Sequence, residues 1–173
     1  ISWKKQQAMR ELMLFLQPYG IALNFIYRIH RKYEGDAKAV LSENPYRLIE
    51  DMRGVGFKKA DLIAQNIGYE KDSYLRIKAA MIHALQEAEG NGHCYLDRKE
   101  MLKRTIELTD VPEEKCGFSL DHLLNEAMVV AEEDALYLRR TYERECELTD
   151  MLVDRITNSK VSLMESAKAR AWA

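Results

Sequence analysis

With 173 residues, 47% hydrophobic and 31% charged, the chain is long enough to bury a core as one domain or two small ones, and its composition excludes disorder. No apolar run nears the roughly 20 residues that span a bilayer, and no secretory h-region is present, so neither a membrane partner nor export is expected. The net charge of −2 hides a split: residues 1–78 hold 14 Lys/Arg against 9 Asp/Glu, and the remainder 12 against 19. The contrast is sharpest over residues 1–33, where Lys4, Lys5, Arg10, Arg28, Arg31 and Lys32 face Glu11 alone. Such a split fits a polyanion partner for the basic half, or simply solvated helix surface.

In chain order, Ser2 is placed to cap a helix from Trp3 to about Gln17, with Met9, Leu12, Met13 and Leu16 on one face. Pro18-Tyr19-Gly20 stops it. A second helix is predicted from about Ile21 to Tyr33, with Leu23, Ile26, Tyr27 and His30 at helical spacing. After the turn Glu34-Gly35-Asp36 come a short helix, Ala37 to Ser42, and another opened by Asn44-Pro45 that ends near Met52. Gly54-Val55-Gly56 breaks the chain, and a helix from Phe57 to Asn66 is closed by Gly68. Helix, glycine turn and helix thus occur twice, an internal repeat.

The second half changes character. Ser73 caps a long helix to about Glu89, with Ile77, Met81, Ala84, Leu85 and Ala88 as its buried stripe. His93 to Leu96 is a short extended stretch, Asp97 caps a helix to about Leu108, and Pro112 opens one that reaches Ala127. Met128–Ala131 and Ala135–Arg139 read as two strands around Glu132-Glu133-Asp134, and a helix from Thr141 to about Ile156 follows. The fold expected is mainly α. A tandem helical-hairpin bundle occupies residues 1–70, and a winged-helix-like unit with a small β-hairpin occupies 73–157. Residues 158–173 form a C-terminal helix or linker. The chain starts at Ile1 and stops inside a helical run, Lys160 to Ala173, so it reads as a piece of something longer.

The stretch Met52-Arg53-Gly54-Val55-Gly56-Phe57-Lys58-Lys59-Ala60 carries the chemistry. Glycines 54 and 56 permit backbone angles closed to other residues and leave amides uncovered. Val55 anchors the turn, and the helix beginning at Phe57 turns its free N–H groups and positive dipole end toward the same spot. Lys58 and Lys59 add charge beside a bound phosphate, and Ala60 lets the helices approach. The first copy, Pro18-Tyr19-Gly20-Ile21-Ala22, has one glycine; it is a second contact or a packing partner for the other copy. Arg28, Arg31 and Lys32 make its second helix the most basic in the chain. Expected contacts are therefore Gly54, Val55, Gly56, Phe57, Lys58, Lys59, Tyr19, Gly20, Arg28, Arg31 and Lys32. Tyr19, Tyr46 and Phe57 could also stack on unpaired bases, although Tyr46 and Phe57 suit a core better.

The glycine segment resembles the helix-hairpin-helix motif, which implies DNA held by its backbone without base readout and with strong salt dependence. Together with Ser2-Trp3, Asn44-Pro45-Tyr46-Arg47-Leu48 and Gly92-His93-Cys94-Tyr95-Leu96, it resembles the region ahead of the motor in long bacterial RecD-like ATP-dependent DNA helicases, relatives of the exodeoxyribonuclease V alpha subunit. That resemblance implies a superfamily-1 parent moving 5′ to 3′ in DNA repair and recombination, with ATP and Mg in motor domains that are also partners of this region. Here none of the eight glycines opens a GxxxxGK[ST] loop, so no cofactor and no ATP hydrolysis are expected of the chain itself.

Two other readings compete. A glycosylase of the helix-hairpin-helix type would use an Asp after its hairpin, and Asp72 superficially fits, although its spacing from Gly56 is short and Ser73 makes it a plain helix start. A protein-interaction scaffold would use the hairpins for packing alone. The helix Pro112–Ala127 carries Glu113, Glu114, Asp121 and Glu126 against Lys115, and the wing tip is acidic, so phosphate repulsion makes this part a spacer or protein contact. Cys94, Cys116 and Cys146, without a CxxC pair, read as reduced thiols in a cytoplasmic protein, and neither they nor the four histidines suggest a metal.

Overall fold

The computed structural model describes residues 2–171, except the side chains of Ser2, Lys4, Lys5, Tyr19 and residues 159–171. The chain opens with α1 (Ser2–Leu16), a 3-10 turn over Gln17–Tyr19 and α2 (Leu23–Tyr33). A second 3-10 turn, Glu34–Asp36, leads to α3 (Ala37–Glu43), α4 (Arg47–Asp51) and α5 (Phe57–Asn66). Leu12, Leu16, Ile26, Ile29, Leu41, Leu48, Phe57 and Ile63 form the centre of this half's core, each almost fully buried. The predicted stripe of α1 is the buried one, with Met13 partly covered.

Helix α2 departs from its predicted face. Ile26 and Ile29 are buried, whereas Leu23 is 50% and Tyr27 55% exposed. Two β-branched side chains three apart go inward because α1 and α3 pack on that side. Pro45 also lies ahead of α4 rather than in its first turn: the Asn44 carboxamide accepts the Tyr46 N–H at 3.1 Å, and Arg47 N–H bonds Asn44 O at 3.2 Å. The Asx turn supplies what a longer helix start would have.

Helix α6 (Tyr74–Gly90) links the halves, with the Ser73 hydroxyl accepting the Arg76 N–H at 3.3 Å. Its predicted stripe is fully buried, but against the second core; Ala79 and Ala80 belong to the first. Then follow β1 (Leu96–Asp97), α7 (Arg98–Thr109), α8 (Glu113–Asn125), β2 (Val129–Glu132), β3 (Ala135–Leu138) and α9 (Arg139–Ala171). The strands form one antiparallel sheet in the order β1-β3-β2, with Leu96 opposite Leu136 and Val129 opposite Leu138. Three helices and a three-stranded sheet in this order make a winged-helix unit on a mainly α chain.

The extended stretch predicted at 93–96 overlaps the observed β1 only at Leu96, because just Leu96 and Asp97 pair with β3. Asp97 occupies the N-cap of α7 but makes no capping bond with its side chain. Helix α9 runs on past Ile156 without a break, the wing tightening to a two-residue turn at Glu133 and Asp134. Among the described residues no helix is long and apolar enough to cross a membrane.

Candidate nucleic-acid interface

The second helical hairpin joins α4 to α5 through a four-residue turn closed by Val55 N–H to Met52 O at 3.1 Å. Gly54 sits in it at φ +83, the left-handed region that favours glycine. Gly56 differs from expectation. It is the N-cap of α5 at φ −98 and ψ 175, an extended backbone open to any residue, and a Cβ built there meets nothing within 4 Å. No intramolecular packing therefore requires a glycine at 56; its bareness faces open space.

Val55 and Phe57 are 5% and 1% exposed, so their side chains anchor the turn from inside and offer only main chain outward. Gly54, Gly56, Lys58 and Lys59 are exposed. The first intrahelical bonds of α5 run from Lys59 and Ala60 N–H to Gly56 O. The Gly56, Phe57 and Lys58 N–H groups, ahead of these at the start of α5, have no acceptor among the described residues.

The first helical hairpin repeats this backbone. Gly20 takes φ +71, Ala22 is the N-cap of α2 at φ −61 and ψ 136, and Phe25 and Ile26 N–H bond Ala22 O as Lys59 and Ala60 bond Gly56 O. In this register Ile21 matches Val55, Ile26 matches Ala60, and Ile29 matches Ile63. The turn itself closes one residue earlier, from Gly20 N–H to Gln17 O at 3.1 Å, because the 3-10 segment precedes it. Tyr19's side chain lies outside the described residues.

Cations gather unevenly around the two turns. Arg28, from the first hairpin, donates to Arg53 O at 2.7 Å, and the Lys59 ammonium reaches Gly54 O at 3.4 Å, so both lie against the second turn. Arg28 also stands 5.7 Å over the Phe25 ring. Lys58 and Arg31 are exposed with no ion pair among the described residues. Lys32 turns the other way, 3.7 Å from Asp51, which also accepts from the Tyr33 hydroxyl and Arg47. Burial pushes the Asp51 carboxyl up, but those three partners outweigh it and hold it below the usual carboxylate range. Arg53, absent from the predicted contacts, is exposed at the tip of the turn; a basic residue ahead of the glycine pair was its signal. Between the hairpins lies a cleft of about 280 Å³ lined by Gly20, Ala22, Arg28, Lys59 and Leu62.

A buried network holds α5 in place. Arg76 grips Asp61 with two bonds of 2.8 and 3.1 Å and bonds Lys71 O and Thr109 O, while the Tyr46 hydroxyl donates to Asp61 at 2.6 Å. Asp61 raises the Arg76 guanidinium, and burial followed by Asp61 raises the Tyr46 phenol. Tyr46 is 5% exposed and stacks on Phe57 at 6.0 Å, which places both candidate stacking rings in the core. Asp72 lies at the surface in an ion pair with Lys115 that holds its carboxyl low. All three cysteines are free thiols.

Two helical hairpins with glycine turns, feeding a winged helix, define a protein of the helix-hairpin-helix class. The chain belongs to the ATP-dependent RecD2 DNA helicase HHH domain family, whose profile matches residues 5–95, from α1 to the edge of β1. It is similar to an ATP-dependent RecD2 DNA helicase of Deinococcus radiodurans, with 33% identity over 111 residues. The aligned part is 64% of this chain and 15% of that relative's length.

Proposed function

We propose that residues 1–70 grip DNA by its sugar-phosphate backbone, without base readout, as the accessory region of a RecD-like 5′–3′ DNA helicase acting in repair and recombination in the cytoplasm. The observation that carries this is the amide group at Gly56, Phe57 and Lys58, unpaired among the described residues, with Gly56 and Lys58 exposed and with Lys59 and Arg28 against the same turn. A phosphate oxygen accepts such N–H groups at a helix start, where the dipole adds to the attraction. The matching backbone at Gly20–Ala22 supplies a second cradle, so two phosphates can be held at once. Because phosphates carry no sequence information, such a grip positions a motor anywhere on DNA.

ATP and magnesium belong to the motor of the parent protein. This chain has no GxxxxGK[ST] loop, and among the described residues no group of three or more His, Cys, Asp or Glu side chains could hold a metal ion.

Fluorescence anisotropy with several DNA oligonucleotides of unrelated sequence, at two salt concentrations, tests the reading. Similar affinities that weaken steeply with salt are expected. Binding that is absent, or insensitive to salt, would leave the hairpins as packing elements of a protein scaffold.

A further inference from the structure

The outer face of the small sheet is built as a surface for something other than DNA. Pairing of Leu96 with Leu136 sets Tyr95 opposite Tyr137, and Val130 flanks Tyr137 from the other side. Side chains two apart on a strand share a face. Away from buried Leu96, Leu136 and Leu138, the sheet therefore presents two rungs, Tyr95–Tyr137–Val130 and Asp97–Ala135–Glu132. The Tyr95 and Tyr137 rings lie 5.4 Å apart, and Tyr142 from the first turn of α9 meets Tyr137 edge-on at 5.5 Å. Tyr95 is 46% exposed.

None of the ion pairs among the described residues uses Asp97, Glu132 or Glu145. The Glu145 carboxylate accepts the Cys94 thiol, at 3.4 Å. Burial and then Glu132 push the Tyr137 phenol up, and Cys146 and then Glu132 push Tyr142 up, so Glu132 lies within electrostatic reach of both rings. Electron-rich ring faces rimmed by uncompensated carboxylates repel phosphate and attract cations.

We propose that this face docks a cationic peptide segment of a protein partner, with arginine or lysine side chains lying on the tyrosines and their charged ends at Asp97 and Glu132. Those two carboxylates sit on the outer strands, two interstrand spacings or roughly 10 Å apart, with the small side chain of Ala135 between them. That span matches basic residues three apart in a polyproline-II chain, which share a face at roughly 3.1 Å per residue. The surface is independent of the hairpins and would let the molecule hold DNA and a basic protein together.

The test titrates the nitrogen-15-labelled 173-residue chain with a capped Gly-Arg-Gly-Gly-Arg-Gly peptide, followed by amide shifts. Shifts confined to the strands and Tyr95 are expected, with none from the Glu-containing counterpart. Glu132→Lys and Tyr137→Ser should each weaken binding by about fivefold. Tyr95→Ser, at a more exposed ring, gives the same reading should Tyr137→Ser perturb the sheet. Equal affinity in Glu132→Lys, or shifts spread evenly over the acids of α8 and α9, overturns the proposal. So does a thymidylate decamer that shifts the same face, or sedimentation showing that the face is a contact between two copies of the chain.

Discussion

The two helical hairpins carry nearly the same main chain on different sequences. Both place a glycine at positive φ, then a side chain turned toward the core, then an extended N-cap whose carbonyl starts the next helix. The first copy uses alanine at that cap and the second uses glycine, and neither conformation demands glycine. The shared Gly20 and Gly54 are thus about making the bend, while Gly56 is about leaving its outside bare. Charge and anchoring separate the copies further. The second has Lys58 and Lys59 where the first has Asn24 and Phe25, and it has Asp61, held by Arg76, where the first has the exposed Tyr27. One hairpin is clamped and carries its cations in the first turn after the bend; the other is unclamped and carries Arg28, Arg31 and Lys32 further along its helix.

The clamp gives the largest expected effect. Arg76→Ala leaves the partly buried Asp61 carboxylate without its bidentate partner, a loss of roughly 3 kcal/mol that lowers the melting temperature by about 6–12 °C. Tyr27→Ala, at the matching place in the first hairpin, should stay within about 0.5 kcal/mol. Thermal melts that show equal drops for the two would erase the asymmetry.

Next comes Gly56→Val. Its backbone suits valine and its surroundings are empty, so the melt should be unchanged while DNA affinity falls about tenfold or more, roughly 1.4 kcal/mol. Ala22→Val should fall less, because that cap already carries a Cβ. Unaltered DNA affinity in folded Gly56→Val would remove the amide cradle from the mechanism.

Lys58→Ala combined with Lys59→Ala should lower affinity for every sequence and reduce the slope of log affinity against log salt by about 1.8, or about 0.9 for each phosphate no longer neutralised. A slope that stays put would mean that these lysines touch no phosphate. The smallest effects concern stability. Gly20→Ala and Gly54→Ala each force a Cβ into the left-handed region and should cost about 1 kcal/mol, or roughly 2–4 °C, whereas Gly56→Ala should cost none. A melt in which Gly56→Ala drops as far as Gly54→Ala would break the distinction between bend and bare cap.

Much of the fold was legible because local signals and packing agree. The stripes of α1 and α6, the glycine breaks and the strands around Glu133-Asp134 are where periodicity and turn chemistry put them. The face of α2 was not, since Leu23, Ile26, Tyr27 and His30 form as good a helical stripe as the one containing Ile29; only the neighbours α1 and α3 decide. The bounds of β1 were not legible for the same kind of reason, the strand being two residues long and defined by a partner about forty positions away. At the candidate interface, the bend at Gly54, the inward anchor Val55 and the exposure of Lys58 and Lys59 could be read from spacing. The bond from Arg28 to Arg53 O, the diversion of Lys32 to Asp51 and the bidentate hold of Arg76 on Asp61 join residues 15 to 25 apart, which no local pattern encodes.

Helix α6 gives its Ala79–Ala80 side to one core and its Ile77–Met81–Leu85 side to the other. Close-packed interfaces of this kind yield little under load, and the shared rod, 17 residues long, measures about 25 Å at roughly 1.5 Å per residue. The bend of each hairpin and the small sheet are thereby seated on one common rod, with no hinge between the two cores along its length.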